Sequence, residues 1–206
     1  MTSIISKSQI VKFDEACHEY SIEGIHIPSV SELLRPVVAD FDCPAKYLER
    51  GTAVHKLTEL YDADLYFSEL AGDDIAPYII AYSQFLDEHQ VEVIQTEQMV
   101  FNRELLYAGR LDRLWMIDGN LHLTDIKTGS KYKQHLFQLV AYAMAIGAGD
   151  IALSNLYLNP FSEKLETWDI KDFAYGIDMV KALSLIYWDN HRKDRKALDK
   201  VLREIS

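Results

Sequence analysis

Asp118-Gly119 restricts the fold of this chain more than any other feature. The dipeptide tolerates the positive φ angles of a tight two-residue turn, and two runs rich in β-branched, aromatic and leucine residues, 109–117 and 120–127, flank it. A hairpin follows, and its register can be counted. With Ile117 opposite Asn120, Trp115 faces His122, Arg113 faces Thr124 and Asp112 faces Asp125. Residues two apart share a face, so Lys127 joins the two carboxylates, while Leu114, Met116, Leu121 and Leu123 carry that face toward a core. Opposed side chains lie about 4.5–5.5 Å apart at Cβ, where two like charges repel unless a cation sits between them. A turn at Gly119-Asn120 would instead pair Asp112 with Lys127 and keep all three charges on one face. Only a three-residue turn would separate them.

The rest of the chain is compatible with one domain built around that hairpin. At 206 residues, with 49% hydrophobic and 26% charged content, it can bury a sizeable core, and residues 1–44 read as an N-terminal hairpin and helix extension to a domain spanning 1–206. Cys17 and Cys43 are too few for a disulfide framework, a structural zinc cluster or the four thiolates of an iron–sulfur cluster, and they fit a reducing compartment. Residues 1–7 lack the apolar core of a signal peptide, and the weakly polar run 139–149 is too short to span a bilayer, so a soluble intracellular protein is expected. The net charge of −11 argues at first against a phosphate-rich partner. Its distribution qualifies this: Lys and Arg number 6 against 18 Asp and Glu through residue 102, and 15 against 14 beyond it. A locally positive groove on an acidic body suits an enzyme that must release a polyanion.

Two short strands around Glu23-Gly24 are expected between Ile10 and Ile27, followed by a helix at Ser29, whose capping-box partner is Glu32. A second helix is expected from Ala45 to Tyr66, with Val54, Leu57, Tyr61 and Leu65 at helical spacing and His55, Glu59 and Asp62 as an adjacent polar stripe. A helix from Asp73 to His89 and a strand from Val91 to Phe101, containing Glu97, lead into the hairpin. Beyond the turn at Thr128-Gly129-Ser130, a helix from Tyr132 to Ile146 sets Gln138 and Tyr142 on one face. Strands at 151–158 and 164–170 and a long helix from about Asp172 follow, with a mixed charge run at 191–196. This order predicts an α/β fold with a central sheet and flanking helices.

The Asp-x-Lys triplet at 125–127 is one of three in the chain, with 169–171 and 194–196. Only the first has an acid opposite it, a histidine with acids on an upstream helix, and a polar helix face immediately after. The combination resembles the PD-(D/E)XK nuclease superfamily, and within it the RecB-like exonuclease branch that includes phage enzymes and the mitochondrial genome maintenance exonuclease. The residues that carry the resemblance are Arg50-Gly51-Thr52-Ala53-Val54-His55, Gly109-Arg110-Leu111-Asp112, Asp125-Ile126-Lys127-Thr128-Gly129, and Gln138-Leu139 with Tyr142. His18-Glu19-Tyr20, Gly24 and Pro28-Ser29-Val30-Ser31 also resemble a segment common in phage members, with Ser31 where threonine is usual.

The resemblance implies a restriction-endonuclease-like core and a metal-dependent DNA exonuclease acting on single- or double-stranded DNA with ends. Asp112, Asp125, the Ile126 carbonyl and a nitrogen of His55 would hold one or two Mg²⁺ or Mn²⁺ ions, and Lys127 would orient the attacking water and stabilise charge on the phosphoryl oxygens. Read by itself, His55 is either that ligand or a packed core histidine. Glu59 and Glu97 are either outer carboxylates that orient water or Lys127, or surface acids. Gln138 and Tyr142 are substrate-strand contacts or ordinary helix residues, and Arg110, Lys131 and Lys133 are phosphate contacts or solvated charges. A restriction-like or structure-specific endonuclease would share the same chemistry, whereas a nuclease-derived binding module without turnover would be expected to have lost an acid or Lys127, and all are present.

Overall fold

The computed structural model describes residues 10–38, 44–66, 68–149 and 151–205; Cys43 and the segment 1–7 lie outside them. The elements in chain order are β1 (Lys12–Asp14), β2 (Glu19–Ile22), β3 (Ile25–Ile27), α1 (Val30–Leu34), α2 (Ala45–Asp62), α3 (Ala76–Glu88), β4 (Glu92–Asn102), β5 (Tyr107–Ile117), β6 (Asn120–Lys127), α4 (Lys133–Ile146), β7 (Ala152–Asn159), β8 (Ser162–Thr167), α5 (Ile170–Asn190) and α6 (Arg192–Glu204). The α/β architecture expected from the sequence is present as a five-stranded mixed sheet in the order β4-β5-β6-β7-β8, flanked by helices. All its neighbours are antiparallel except β6 and β7, which run parallel because α4 carries the chain across the sheet between them.

The turn forms where the sequence placed it. Asp118 and Gly119 both have positive φ, +49° and +77°, and the pairs Ile117–Asn120, Trp115–His122 and Arg113–Thr124 form as counted. The ladder ends at Arg113–Thr124, so Asp112 and Asp125 do not pair directly. Instead Asp112 Oδ2 accepts a hydrogen bond from the Ile126 amide at 3.0 Å. One face of the hairpin buries Leu114 and Leu123 but leaves Leu121 exposed, and the other buries Arg113, Trp115, Thr124 and Ile126 completely or nearly so. The sheet is covered on both faces, as a βα-crossover sheet must be.

Several expected boundaries move. The N-terminal segment forms three strands, not two, and α2 ends at Asp62 with Leu65 exposed. Ser29 caps α1 by accepting from the Glu32 amide at 3.0 Å, while the Glu32 carboxylate accepts from Tyr187 and meets His26. The capping-box partner is thus engaged by long-range contacts. The charge run at 191–196 opens a separate helix, α6, whose Leu198 and Leu202 pack with Trp188 against Tyr20, Ile22 and Ile27 of the N-terminal sheet. Among the described residues no helix is long and apolar enough to cross a membrane.

Candidate active site

Three elements converge on one patch of side chains. α2 buries Val54 and Leu57, and the intervening His55 stays partly open on the next face of the helix. The β5–β6 ladder ends at Arg113–Thr124, and Asp112 is unpaired on the β4 side as well, between Leu111 and Arg113. β4 contributes Glu97, which is skipped in the ladder between Gln98–Leu111 and Thr96–Arg113. Its φ is +50°, a left-handed conformation in mid-strand that disfavours any side chain by about 1–2 kcal/mol. Strain of this kind collects where a side chain has to be re-aimed. The result is a cluster in which one ligand atom each from His55, Glu97 and Asp112 lies within 4.8 Å of the others. His55 Nδ1 is 3.3 Å from Asp112 Oδ2.

The Asp-x-Lys triplet stands beside this cluster. Asp125 is 1% exposed, and its Oδ2 meets Lys127 Nζ at 2.6 Å and accepts from Asn155 Nδ2 at 2.9 Å. Asn155 is oriented in turn by the Trp168 indole, which donates to its Oδ1 at 2.9 Å and leaves the amide nitrogen for Asp125. Lys127 Nζ also donates to Gln138 Oε1 at 3.1 Å, and Gln138 Nε2 donates to the Tyr142 hydroxyl at 3.3 Å. The face of α4 is thereby tied to the triplet.

The electrostatics separate the two aspartates. Burial alone would raise Asp112, but His55, Lys127, Arg113 and the Ile126 amide outweigh it and hold the carboxyl below its ordinary value. Burial pushes Asp125 up to about 6; Lys127 opposes that shift and the neighbouring Asp112 adds to it. Burial and Asp112 also raise Glu97, against Arg113 and His55. Three acids this close are held together against their repulsion, and Asp125 Oδ1 is buried without a hydrogen-bond partner among the described residues. An imidazole nitrogen with carboxylate oxygens, one of them orphaned, fits a divalent cation.

A cleft of about 630 Å³ opens over the site. His55, Glu97, Arg110, Asp112, Ile126, Lys127, Gln138 and Tyr142 all line it, and Asp125 sits behind its floor. Other expected residues do not. Glu59 pairs with Lys56 on the surface of α2 at 2.7 Å. Lys131 pairs with Glu166 and covers the Trp168 ring, and Lys133 lies 4.4 Å over the Tyr175 ring, so neither lines the cleft. Glu97, for which an outer carboxylate and a surface acid stood as the alternatives, lies within the tight cluster with His55 and Asp112.

Several residues found here carry no role that the sequence alone assigns. Arg50 lines the cleft and donates to the Thr128 carbonyl at 2.8 Å. His135 lines it too; burial and the nearby Lys127 pull its ring down to about 4, and its Nδ1 lies 2.9 Å from the Tyr157 hydroxyl. Asn155 sits on a strand that reads as plain core, and only its polarity among apolar neighbours could have marked it.

The model of the PD-(D/E)XK nuclease superfamily matches residues 58–205, which contain Glu97, Asp112, Asp125 and Lys127. This chain belongs to the PD-(D/E)XK nuclease superfamily. Membership implies a metal-dependent nuclease with DNA as substrate. His55 lies just ahead of the matched segment, so its place in the site rests on geometry alone. Among solved structures the chain is similar to LHK-Exo in complex with dAMP, at 12% identity and a TM-score of 0.45, covering 87% of this chain and 93% of that one. It is also similar to SSO0001, at 15% identity and a TM-score of 0.30, covering 75% and 84%. No curated protein matches the chain.

Proposed function

We propose that this protein is a DNA exonuclease of the RecB-like branch, a single catalytic domain with an N-terminal extension, working with Mg²⁺ or Mn²⁺. The observation that carries the reading is the convergence of His55, Glu97 and Asp112 beside the Asp125–Lys127 pair on the floor of one cleft. The N-terminal extension walls that cleft through His18, Tyr20 and the 29–31 segment, and its volume is in the range of small-ligand pockets. A site of this size suits the end of one strand better than an uninterrupted duplex.

His55, Glu97, Asp112 and the orphaned Oδ1 of Asp125 would hold one or two divalent ions, and the imidazole tilts the preference toward Mn²⁺. Bound there, such an ion would supply a bound water of lowered pKa and counter-charge for the scissile phosphate. The chain's own residues do the rest. Lys127 Nζ, held by Asp125 and Gln138, donates to the attacking water and to a non-bridging phosphoryl oxygen, where charge grows as the new P–O bond forms and the old one breaks. Gln138 and Tyr142 line the cleft beside Lys127 and orient the sugar-phosphate strand, and Arg110, held over the Phe13 ring at 4.7 Å, meets a phosphate. The resemblance to phage and organellar enzymes supports a role in recombination, repair or genome processing, in the cytoplasm of a bacterial or phage-infected cell or in an organellar matrix.

Incubation with end-labelled linear DNA and covalently closed circular DNA, with and without Mn²⁺, tests the proposal. Metal-dependent loss of the linear species alone is expected. Cutting of the closed circle would make the protein an endonuclease, and cutting without metal would remove the assignment altogether.

A further inference from the structure

Arg113 is the one arginine whose side chain is completely buried among the described residues, and it lies directly behind the acidic cluster. A buried guanidinium needs counter-charge and matched donors: Nη1 and Nη2 donate hydrogen bonds, while Nε stands in a close ion pair without hydrogen-bond geometry. Nε pairs with Asp62 Oδ2 at 2.6 Å, and Nη2 donates to Thr58 Oγ1 at 3.0 Å. Nη1 donates to the Asp112 carbonyl at 2.9 Å and lies 3.5 Å from Glu97 Oε1.

These partners are distributed in a telling way. Thr58 and Asp62 belong to α2, which carries His55, and the Thr58 hydroxyl also donates to the His55 carbonyl at 2.9 Å. Asp112 is on β5 and Glu97 on β4. Arg113 therefore ties together the three elements that supply the three ligand side chains. Tyr82 of α3 completes the arrangement from behind by donating to Asp62 Oδ1 at 2.5 Å.

We propose that Arg113 is a positioning residue that assembles His55, Glu97 and Asp112 before a divalent cation arrives. Two features of the cluster need such a residue. Glu97 occupies a left-handed backbone at φ +50°, and its carboxylate stands near that of Asp112 with like charge. Without a counter-charge the strand would relax and the two acids would separate. The guanidinium supplies that charge from the protein side and leaves the cleft side of the carboxylates open. Its planar fork fixes several directions at once, which a lysine ammonium on a flexible stem does not.

The inference rests on the functional reading above, and its test separates the two. The double variant Asp62→Leu/Arg113→Met replaces the buried pair by apolar side chains and leaves no orphaned charge in the core, a change that buried ion pairs often tolerate. Calorimetric titration with Mn²⁺ alone is compared with the melting temperature. The expected result is a folded protein whose Mn²⁺ affinity falls by about 10–100-fold, the size typical of losing an outer partner of a metal ligand. Gly176→Ala, which overpacks α4 against α5 away from the cluster, serves as the control and keeps wild-type affinity. Wild-type affinity in the folded double variant overturns the inference and leaves the functional reading intact, whereas a wild-type protein that binds no Mn²⁺ overturns both. Should the double variant fail to fold, Thr58→Val removes a single guanidinium partner: affinity at least about threefold weaker supports the role, and unchanged affinity rejects it.

Discussion

Glu97 and Asp125 each sit in a state that the isolated residue would avoid, and both departures can be measured. Glu97 keeps a left-handed backbone at φ +50°, which glycine adopts freely. Glu97→Ala loses the carboxylate and keeps the strain, whereas Glu97→Gly loses both. Without metal, Glu97→Gly should therefore be more stable than Glu97→Ala by about 1 kcal/mol, or about 2–4 °C in melting temperature for a chain of this size. Both variants should bind Mn²⁺ weakly, and equal melting temperatures would show that the backbone relaxes at no cost. Asp125 titrates at about 6 in the folded chain against an ordinary 3.8, so the unfolded chain loses this proton first as pH rises. Its contribution to stability is complete below about 3.8 and is lost as pH climbs through about 6. His135, pulled down to about 4, acts in the opposite sense as pH rises toward 6.5, so the wild-type curve alone is ambiguous. The difference is not: the melting temperature of metal-free Asp125→Asn minus that of wild type should grow between pH about 4 and about 6 and then level off. A flat difference would mean that Lys127 fully compensates the buried carboxylate.

Helix α4 is the element that links the sheet to the chemistry, and two glycines set how closely it is packed. A Cβ at Gly109 of β5 would meet Tyr142 Cε1 at 2.7 Å and Val30 Cγ2 at 3.0 Å, and one at Gly176 of α5 would meet Val140 Cγ2 at 2.6 Å. Gly109→Ala and Gly176→Ala should each destabilise by about 1–3 kcal/mol through overpacking. Their effects on activity should differ. Gly109→Ala displaces Tyr142, the hydroxyl that receives Gln138, which in turn receives Lys127, so kcat should fall; Gly176→Ala moves only the outer face of α4 and should leave kcat unchanged. Steady-state cleavage of linear DNA beside thermal melts checks both. The turn at Asp118-Gly119 and the hairpin register were legible in the sequence because a dipeptide with positive φ and a period of two fix them locally. The interruption at Glu97 was not, since nothing in Gln95 to Val100 signals a left-handed residue. Arg113 escaped notice for a related reason: its counter-ion Asp62 lies far away in sequence, and alternation alone places an arginine on a face without saying that both faces are buried.

At the scale of the whole molecule, one wall of the cleft comes from the N-terminal end of the chain and is backed by the C-terminal end. The β1-β2-β3 sheet supplies Tyr20, and the turn before β2 supplies His18, to its wall; that sheet rests on α6, whose buried Leu198 and Leu202 pack with Trp188 of α5. The sequence showed residues 191–196 as a charge run and showed the N-terminal strands as short β segments. Their contact was not readable, because each half presents an apolar face whose partner is more than 150 residues away. The catalytic side chains proposed here sit instead on α2, β4, β5 and β6. Loosening α6 should therefore disturb substrate binding more than chemistry. Leu198→Ala should cost about 2–5 kcal/mol as a core truncation. At a temperature where the variant is still folded, KM for linear DNA should rise severalfold while kcat stays within about twofold, since the wall moves and the floor does not. Mn²⁺ affinity should be unchanged. If kcat falls and KM holds, the N-terminal sheet reaches the reacting phosphate directly, and the division of the cleft into a binding wall and a catalytic floor is wrong.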